Sequence, residues 1–310
     1  MTLTLHTGGR DEPTIWSTLR PDARRERALV AVATRDVEDL CDLTVTCLVL
    51  RGRAGARLSP HTRLSYRQGI RALLLAWPAE DLLRPGRDAA HEWLRHMESA
   101  GLSASTLRTR RAAARALYAA FRWVGIAEID PFADVHPAKD PTAPWDKRAP
   151  FTQGEIEALL AVADPADRVL ILLGAHGGLR LSECLNARWE HVALASATLT
   201  IPHGKGGKRR AVALSRSVVE ALRAVGGNEG YVMPYRGQTR ARTRLKTLCA
   251  QAGVAYKSPH CLRHHCGTRL MRESGDLERV ARHLGHASLE TSRIYTKWSD
   301  EGLRESVGDW

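Results

Sequence analysis

Six side chains suited to acting on a phosphate recur along the C-terminal half of this 310-residue chain. Arg180 lies in Gly178-Leu179-Arg180-Leu181-Ser182-Glu183, and Lys205 in Gly204-Lys205-Gly206-Gly207-Lys208. His260 and Arg263 lie in Ser258-Pro259-His260-Cys261-Leu262-Arg263-His264. His286 follows Leu284-Gly285, and Tyr295 comes nine residues later in Arg293-Ile294-Tyr295-Thr296. A guanidinium is always charged and offers a planar fork of donors that matches phosphate oxygens. Three residues apart, His260 and Arg263 share one side of a helix. Both fall just after Pro259, where the free N–H groups of a helix start favour an anion. Taken singly, each residue has a plainer reading. Tyr295 is flanked by Leu289 and Ile294 and could be a core tyrosine; Lys205 and Lys208 could be solvated turn lysines. With 39 arginines in the chain, His-x-x-Arg arises readily by chance.

Helices and one hairpin must position these groups. In the first half, residues 40–50 are apolar but ambiguous, because Thr44-Val45-Thr46 also suits a strand. Ser59-Pro60 supplies an N-cap and a proline at the first helical position. Ile70, Leu73, Leu74 and Trp77 then form one apolar face. A third helix is expected around Trp93, Leu94 and Met97, and a fourth from Ser103 to about Trp123. On this last helix Arg108, Arg111, Arg115 and Arg122 fall within a stripe about 60° wide at 100° per residue. No acid occurs between Ala100 and Ala127, so the stripe is expected to track phosphates. Five prolines in 128–150 mark a linker. Thr152 to Glu155 is a capping box opening the next helix. Residues 197–202 and 209–214 read as strands around the glycine-flanked Lys205. Helices are expected at 165–176, 216–225, 238–252, 259–273, 276–284 and 288–296.

Composition narrows the partners. Lys+Arg number 46 and Asp+Glu 34, a net charge of +12. Residues 1–146 carry 21 basic and 18 acidic groups, and residues 147–310 carry 25 and 16, so most of the excess lies in the second half. Such a balance fits a polyanionic partner. No run of about 18 apolar residues suggests a membrane span, and Met1 to Arg10 lacks the pattern of a signal peptide. Six cysteines without framework spacing are expected to be reduced thiols of a cytoplasmic protein.

The ordered set of Gly-Leu-Arg-x-x-Glu, hairpin lysine, His-x-x-Arg, Leu-Gly-His and tyrosine nine residues on resembles the tyrosine recombinase (phage integrase) family. The resemblance spans roughly 40–298, and Xer-type members are nearest in size and layout. It implies a mainly α chain with a small antiparallel β-sheet in the two-domain tyrosine recombinase architecture. The domains would be a helical core-binding, DNA-binding domain at 41–127 and an α+β catalytic domain at 151–298, clamping duplex DNA from opposite sides. An arm or extra helix at 1–40, a linker at 128–150 and a tail helix at 299–310 complete the layout.

The resemblance also implies roles. Tyr295 would be the nucleophile, forming a 3′-phosphotyrosine and releasing a 5′-hydroxyl. Arg180 and Arg263 would stabilise charge on the phosphate, and Lys205 would be the general acid for the leaving oxygen. His260 and His286 would assist proton transfer or bind the phosphate, with Glu183 orienting its neighbours. Lys208 joins the arginine stripe as an expected DNA contact. No metal or nucleotide cofactor is expected, because the covalent intermediate conserves the bond energy. Partners would be double-stranded DNA at two recombination sites and three further copies in a tetramer, with the free protein monomeric. A partner recombinase or accessory protein stays open, as does chromosome-dimer resolution against mobile-element integration or excision. His264 and His265 fall outside the motif. Cys261, His264, His265 and Cys266 invite a zinc reading but lie on one helix without a second ligand pair. Rival functions are a silent DNA-binding protein on the same fold and topoisomerase-like relaxation.

Overall fold

The computed structural model describes residues 15–52, 58–140, 142, 149–202, 209–285, 292 and 295. The chain divides into two compact units, through Pro141 and from Thr142 onward. The first unit is all helical: α1 (Ile15–Thr18), α2 (Pro21–Ala33), α3 (Val37–Arg51), α4 (Pro60–Ala76), α5 (Ala89–Ser99) and α6 (Ala104–Trp123). Its starts are written locally. The side chains of Ser59 and Ser103 accept from the N–H groups of Thr62 and Thr106, and Asp36 accepts from those of Glu38 and Asp39. The ambiguous stretch at 40–50 is helical. The hydroxyls of Thr44 and Thr46 donate to the carbonyls of Leu40 and Asp42 at 2.7 Å, so both are satisfied inside the helix. The helix is buried on several sides, which overrides the β-propensity of its valines and threonines.

Two segments at the ends of this unit pack into its core. Of the two readings of residues 1–40, an arm or an extra helix, residues 15–33 take the helical one: Trp16, Ala28 and Ala31 are buried in the same core as α3 and α6. Arg24 ties this segment down by donating to the Trp16 and Leu19 carbonyls. The linker expected at 128–150 also begins too early. Phe132 and Val135 are core residues, and the Phe132 ring meets Trp77, Trp93 and Tyr118 at centroid distances of 5.7, 5.5 and 5.8 Å. Prolines set the path of this segment, but an aromatic knob fixes it.

The arginine stripe holds the same segment. Arg111 donates to the carbonyls of Phe132 and Ala133, Arg115 to Asp130, and Arg122 to the Ile129 carbonyl. Three of the four stripe arginines therefore have partners within the protein, while Arg108 is exposed. The helix holds no acid, but Asp130 reaches it from fifteen residues beyond Arg115.

The second unit surrounds an apolar helix. It contains α7 (Gln153–Val162), α8 (Pro165–Ala175), α9 (Leu181–Leu185), α10 (Arg216–Val225), α11 (Gln238–Gln251), α12 (His260–Ser274) and α13 (Leu277–Leu284). The capping box of Thr152 and Glu155 is present at the start of α7. Most of α8 is buried, including every residue from Val169 to Ala175, and it packs on α10 and α12. Beside it stands a three-stranded antiparallel sheet in the order β1 (Val192–Ala193), β2 (Thr198–Ile201), β3 (Arg210–Ala213). The two longer strands match the expected hairpin; β1 is too short to leave an alternating pattern. Ile201 pairs with Arg210, so the segment carrying Lys205 and Lys208 connects these two ends. Both lysines lie outside the described residues, as do His286 and the tail at 299–310. Among the described residues no helix is long and apolar enough to cross a membrane.

Replacing Phe132 by Ala should cost about 3–5 kcal/mol, read as a lower denaturant midpoint of the first unit's tryptophan signal. An unchanged midpoint would return this segment to the status of a linker.

Candidate active site

Helix α12 presents the centre of the site. His260 is its first residue, and Arg263, His264 and Gly267 follow at spacings that keep them on neighbouring parts of one face. The rings of His260 and His264, one turn apart, meet edge to face at 4.6 Å. Arg263 is 1% exposed. Its Nη1 donates to the Gly178 carbonyl at 2.6 Å and its Nη2 to the Leu284 carbonyl at 2.7 Å. Leu284 is the last residue of α13, so the cation meets the negative end of a helix. Burial, and next the charge of Arg180, bring the Arg263 guanidinium down to about 10.

Glu183 joins three arginines from separate elements. It stands on α9 with its side chain 7% exposed. Arg180 Nη1 donates to its Oε1 at 3.0 Å and the Arg180 backbone N–H to its Oε2 at 2.8 Å. Arg210 donates from both terminal nitrogens at 2.8 Å, and Arg263 Nη1 lies 3.9 Å away. Burial alone would push the Glu183 carboxyl up. The hydrogen bonds from Arg210 and Arg180, with their charges, outweigh it and hold the carboxyl down at about 2. Gly285 caps α13 at φ 66°, and a Cβ there would stand 2.7–3.1 Å from the Arg210 side chain. Only glycine combines that turn with that approach.

Tyr295 is 2% exposed and packs against the same helix. Its Oη lies 3.3 Å from His264 Nδ1, with the rings 5.9 Å apart. A Cβ at Gly267 would fall 2.3–2.7 Å from the phenol ring and hydroxyl. Burial pushes the Tyr295 hydroxyl up, while the charges of Arg263 and Arg180 pull it down. The phenol thus shares the field of both guanidiniums.

Comparison with known proteins bears on what such a cluster does. Residues 150–301 match the phage integrase family, and residues 54–125 match the N-terminal SAM-like domain of phage integrases. The tyrosine recombinase XerC of Xanthomonas campestris is 31% identical over 262 residues, 77% of this chain and 79% of the relative. The tyrosine recombinase XerA of Thermococcus kodakarensis is 31% identical over 263 residues, 80% and 88% of the two chains. The chain belongs to the tyrosine recombinase (phage integrase) family. Solved structures of like fold include the XerH site-specific recombinase bound to a palindromic difH substrate, with TM-score 0.65, 19% identity and coverage of 95% and 92%. A Tn1549 transposon integrase in complex with transposon right end DNA has TM-score 0.66, 17% identity and coverage of 86% and 99%.

This tyrosine recombinase is therefore a member of a family of DNA strand-transferring enzymes. Of the expected site residues, its structure brings together Arg180, Glu183, Arg263 and Tyr295, with His260 on the same helix face. Two neighbours escaped the sequence reading. Arg210 lies in a basic run that hides it, although its register with the inward Ile201 and Val212 marks it as facing the core side. His264 lies outside the sequence motif, although it stands one turn from His260. The four residues of the zinc reading face separate partners. Cys261 meets Ser258, His264 meets Tyr295, His265 meets the Phe151 carbonyl and Cys266 meets the His176 carbonyl.

The Glu183 carboxyl is held below its ordinary value, so its stabilisation is present above about pH 4.5 and is lost as pH falls through about 2. Glu183→Gln should cost about 3–5 kcal/mol at neutral pH by stranding buried arginines. It should also flatten the fall in stability between those pH values, as measured by urea midpoints. Gly267→Ala should displace the Tyr295 ring; expected is a loss of strand cleavage of at least about tenfold with DNA affinity retained, since the added methyl faces the phenol.

Proposed function

We propose that this recombinase cuts and rejoins DNA at specific sites through Tyr295. The single observation that carries the reading is the seat of the phenol on α12, against Gly267 and with its hydroxyl 3.3 Å from His264, on the helix that also carries Arg263. The Tyr295 oxygen attacks the scissile phosphorus, the bond to the 5′-oxygen breaks, and a 3′-phosphotyrosine results. Arg180 and Arg263 offset the charge that builds on the non-bridging oxygens. His260 and His286 hydrogen-bond the phosphate or move protons, and Lys205 protonates the departing 5′-oxygen. Glu183 orients Arg180. Rejoining reverses the step with another strand's 5′-hydroxyl, and the phosphotyrosine conserves the bond energy throughout.

The substrate is double-stranded DNA carrying two recombination sites, engaged by four copies of the chain that are monomeric when free. Arg108, exposed on α6, and Lys208 make phosphate contacts, while Arg111, Arg115 and Arg122 serve first to hold residues 129–133. The enzyme acts on nucleoid DNA in the cytoplasm, in chromosome-dimer resolution or in the movement of a mobile element, alone or beside a partner recombinase.

A nicked suicide duplex tests the reading. The unaltered protein should form a denaturation-resistant adduct on its target, and Tyr295→Phe should form none. An adduct in the variant would remove Tyr295 from the chemistry. Relaxation of a plasmid by the monomer, without paired sites, would replace recombination with simple strand passage.

A further inference from the structure

Attack by a phenol needs an acceptor for its proton, and the shared role of His260 and His286, binding phosphate or moving protons, does not assign that step to one atom. Burial favours the neutral form of the Tyr295 hydroxyl, against the pull of the neighbouring arginines. The cations that ease ionisation are the same ones that a bound phosphate would occupy. A base adjacent to Oη is therefore required at the moment the substrate is in place.

The geometry points to His264 as the general base that takes the Tyr295 proton, on Nδ1. This inference rests on Tyr295 being the nucleophile. Oη and Nδ1 are 3.3 Å apart, within the looser range usual for a catalytic pair before substrate tightens it. Gly267 leaves the space in which the phenol lies along the helix. His260 abuts the His264 ring at 4.6 Å and limits its freedom to turn away. For Nδ1 to accept, the ring carries its proton on Nε2. The step balances. The Oη–H bond breaks and the proton passes to Nδ1; the Oη electron pair forms the bond to phosphorus; the bond from phosphorus to the 5′-oxygen breaks. That oxygen leaves with the electrons and takes a proton from Lys205. In rejoining, Oη departs and recovers its proton from His264.

Among the described residues, the charged and titratable groups around this pair and the arginines beside it are His260, Arg263 and Cys266 on α12, Arg180 and Glu183 at α9, and Arg210 on β3. Burial pushes the Cys266 thiol up to about 12, and Glu183 stands at about 2. The other imidazole among these described neighbours is His260. Comparing variants separates the two rings.

The experiment is single-turnover cleavage of the nicked duplex from about pH 5 to 8, with DNA affinity measured alongside. The variants are His264→Asn, whose amide oxygen can accept at the Nδ1 position without basicity, and His264→Gln. The unaltered enzyme should speed up as the imidazole loses its proton. His264→Asn should cleave about 100-fold or more slowly, lose that acidic limb and bind DNA within about threefold of the unaltered enzyme. The deficit should persist on DNA with a 5′-bridging phosphorothiolate, whose sulfur leaves without an acid, because the missing group serves the nucleophile. Cleavage by His264→Asn within threefold of normal overturns the inference. So does a deficit that disappears on the phosphorothiolate, or an acidic limb that survives in the variant. If neither variant folds, a flat profile in the unaltered enzyme is sufficient to overturn it. Absence of any adduct with the unaltered enzyme would instead defeat the reading of Tyr295 as nucleophile.

Discussion

The site depends on one buried carboxylate holding three guanidiniums together. Like charges about 5 Å apart repel by roughly 3 kcal/mol even at an effective dielectric near 20, so Arg180, Arg210 and Arg263 would not gather unaided. Glu183 binds two of them directly and stands 3.9 Å from the third. One negative charge among three positive ones leaves an excess, and a phosphodiester brings the anion that this excess favours. The arginines come from the turn before α9, from β3 and from α12. The carboxylate thereby fixes the relative positions of three elements as well as three charges.

Arg263 takes this further by being structural and electrostatic at once. Its donors to the Gly178 and Leu284 carbonyls join the segment before α9 to the end of α13 across α12. A guanidinium can do this because five N–H groups share one plane, whereas a lysine would offer a point charge with no matching fork. Gly285 ends α13 in a left-handed turn and leaves room for Arg210 alongside. The cost of burying these cations is offset by specific acceptors, so the cluster does not have to be reorganised when an anion arrives.

The sequence disclosed most of this site because its residues carry separate local signals: a glycine-flanked hairpin, a proline-led helix start and a Leu-Gly helix end. What it concealed has identifiable causes. Arg210 follows Lys208 and Arg209, and charge alone cannot rank three adjacent cations. Only strand register, with Val212 and Leu214 inward, singles it out. Helix α6 itself holds no acid, whereas Asp130 returns from the next segment to meet Arg115. Prolines obscured Phe132 because a linker and a proline-shaped strap share a composition; burial distinguishes them and composition does not. Thr44 and Thr46 carried a strand signal that their own bonds to preceding carbonyls cancel.

Phosphate and phenol draw on the same positive field, and this couples the parts of the site. In the free protein the charges of Arg263 and Arg180 favour the phenolate, against the larger opposing effect of burial. A DNA phosphate entering the cluster brings a negative charge that cancels part of this help just when the nucleophile must ionise. The arginines can stabilise the developing phosphorane without also supplying the whole driving force for deprotonation. An uncharged acceptor beside Oη resolves the conflict, because it gains its charge only as the proton leaves. Becoming cationic, it then adds to the positive surroundings of the five-coordinate phosphorus instead of having reduced them beforehand. A carboxylate at that position would have neutralised the arginines before the anion could bind, and the carboxylate this site does possess is held behind them.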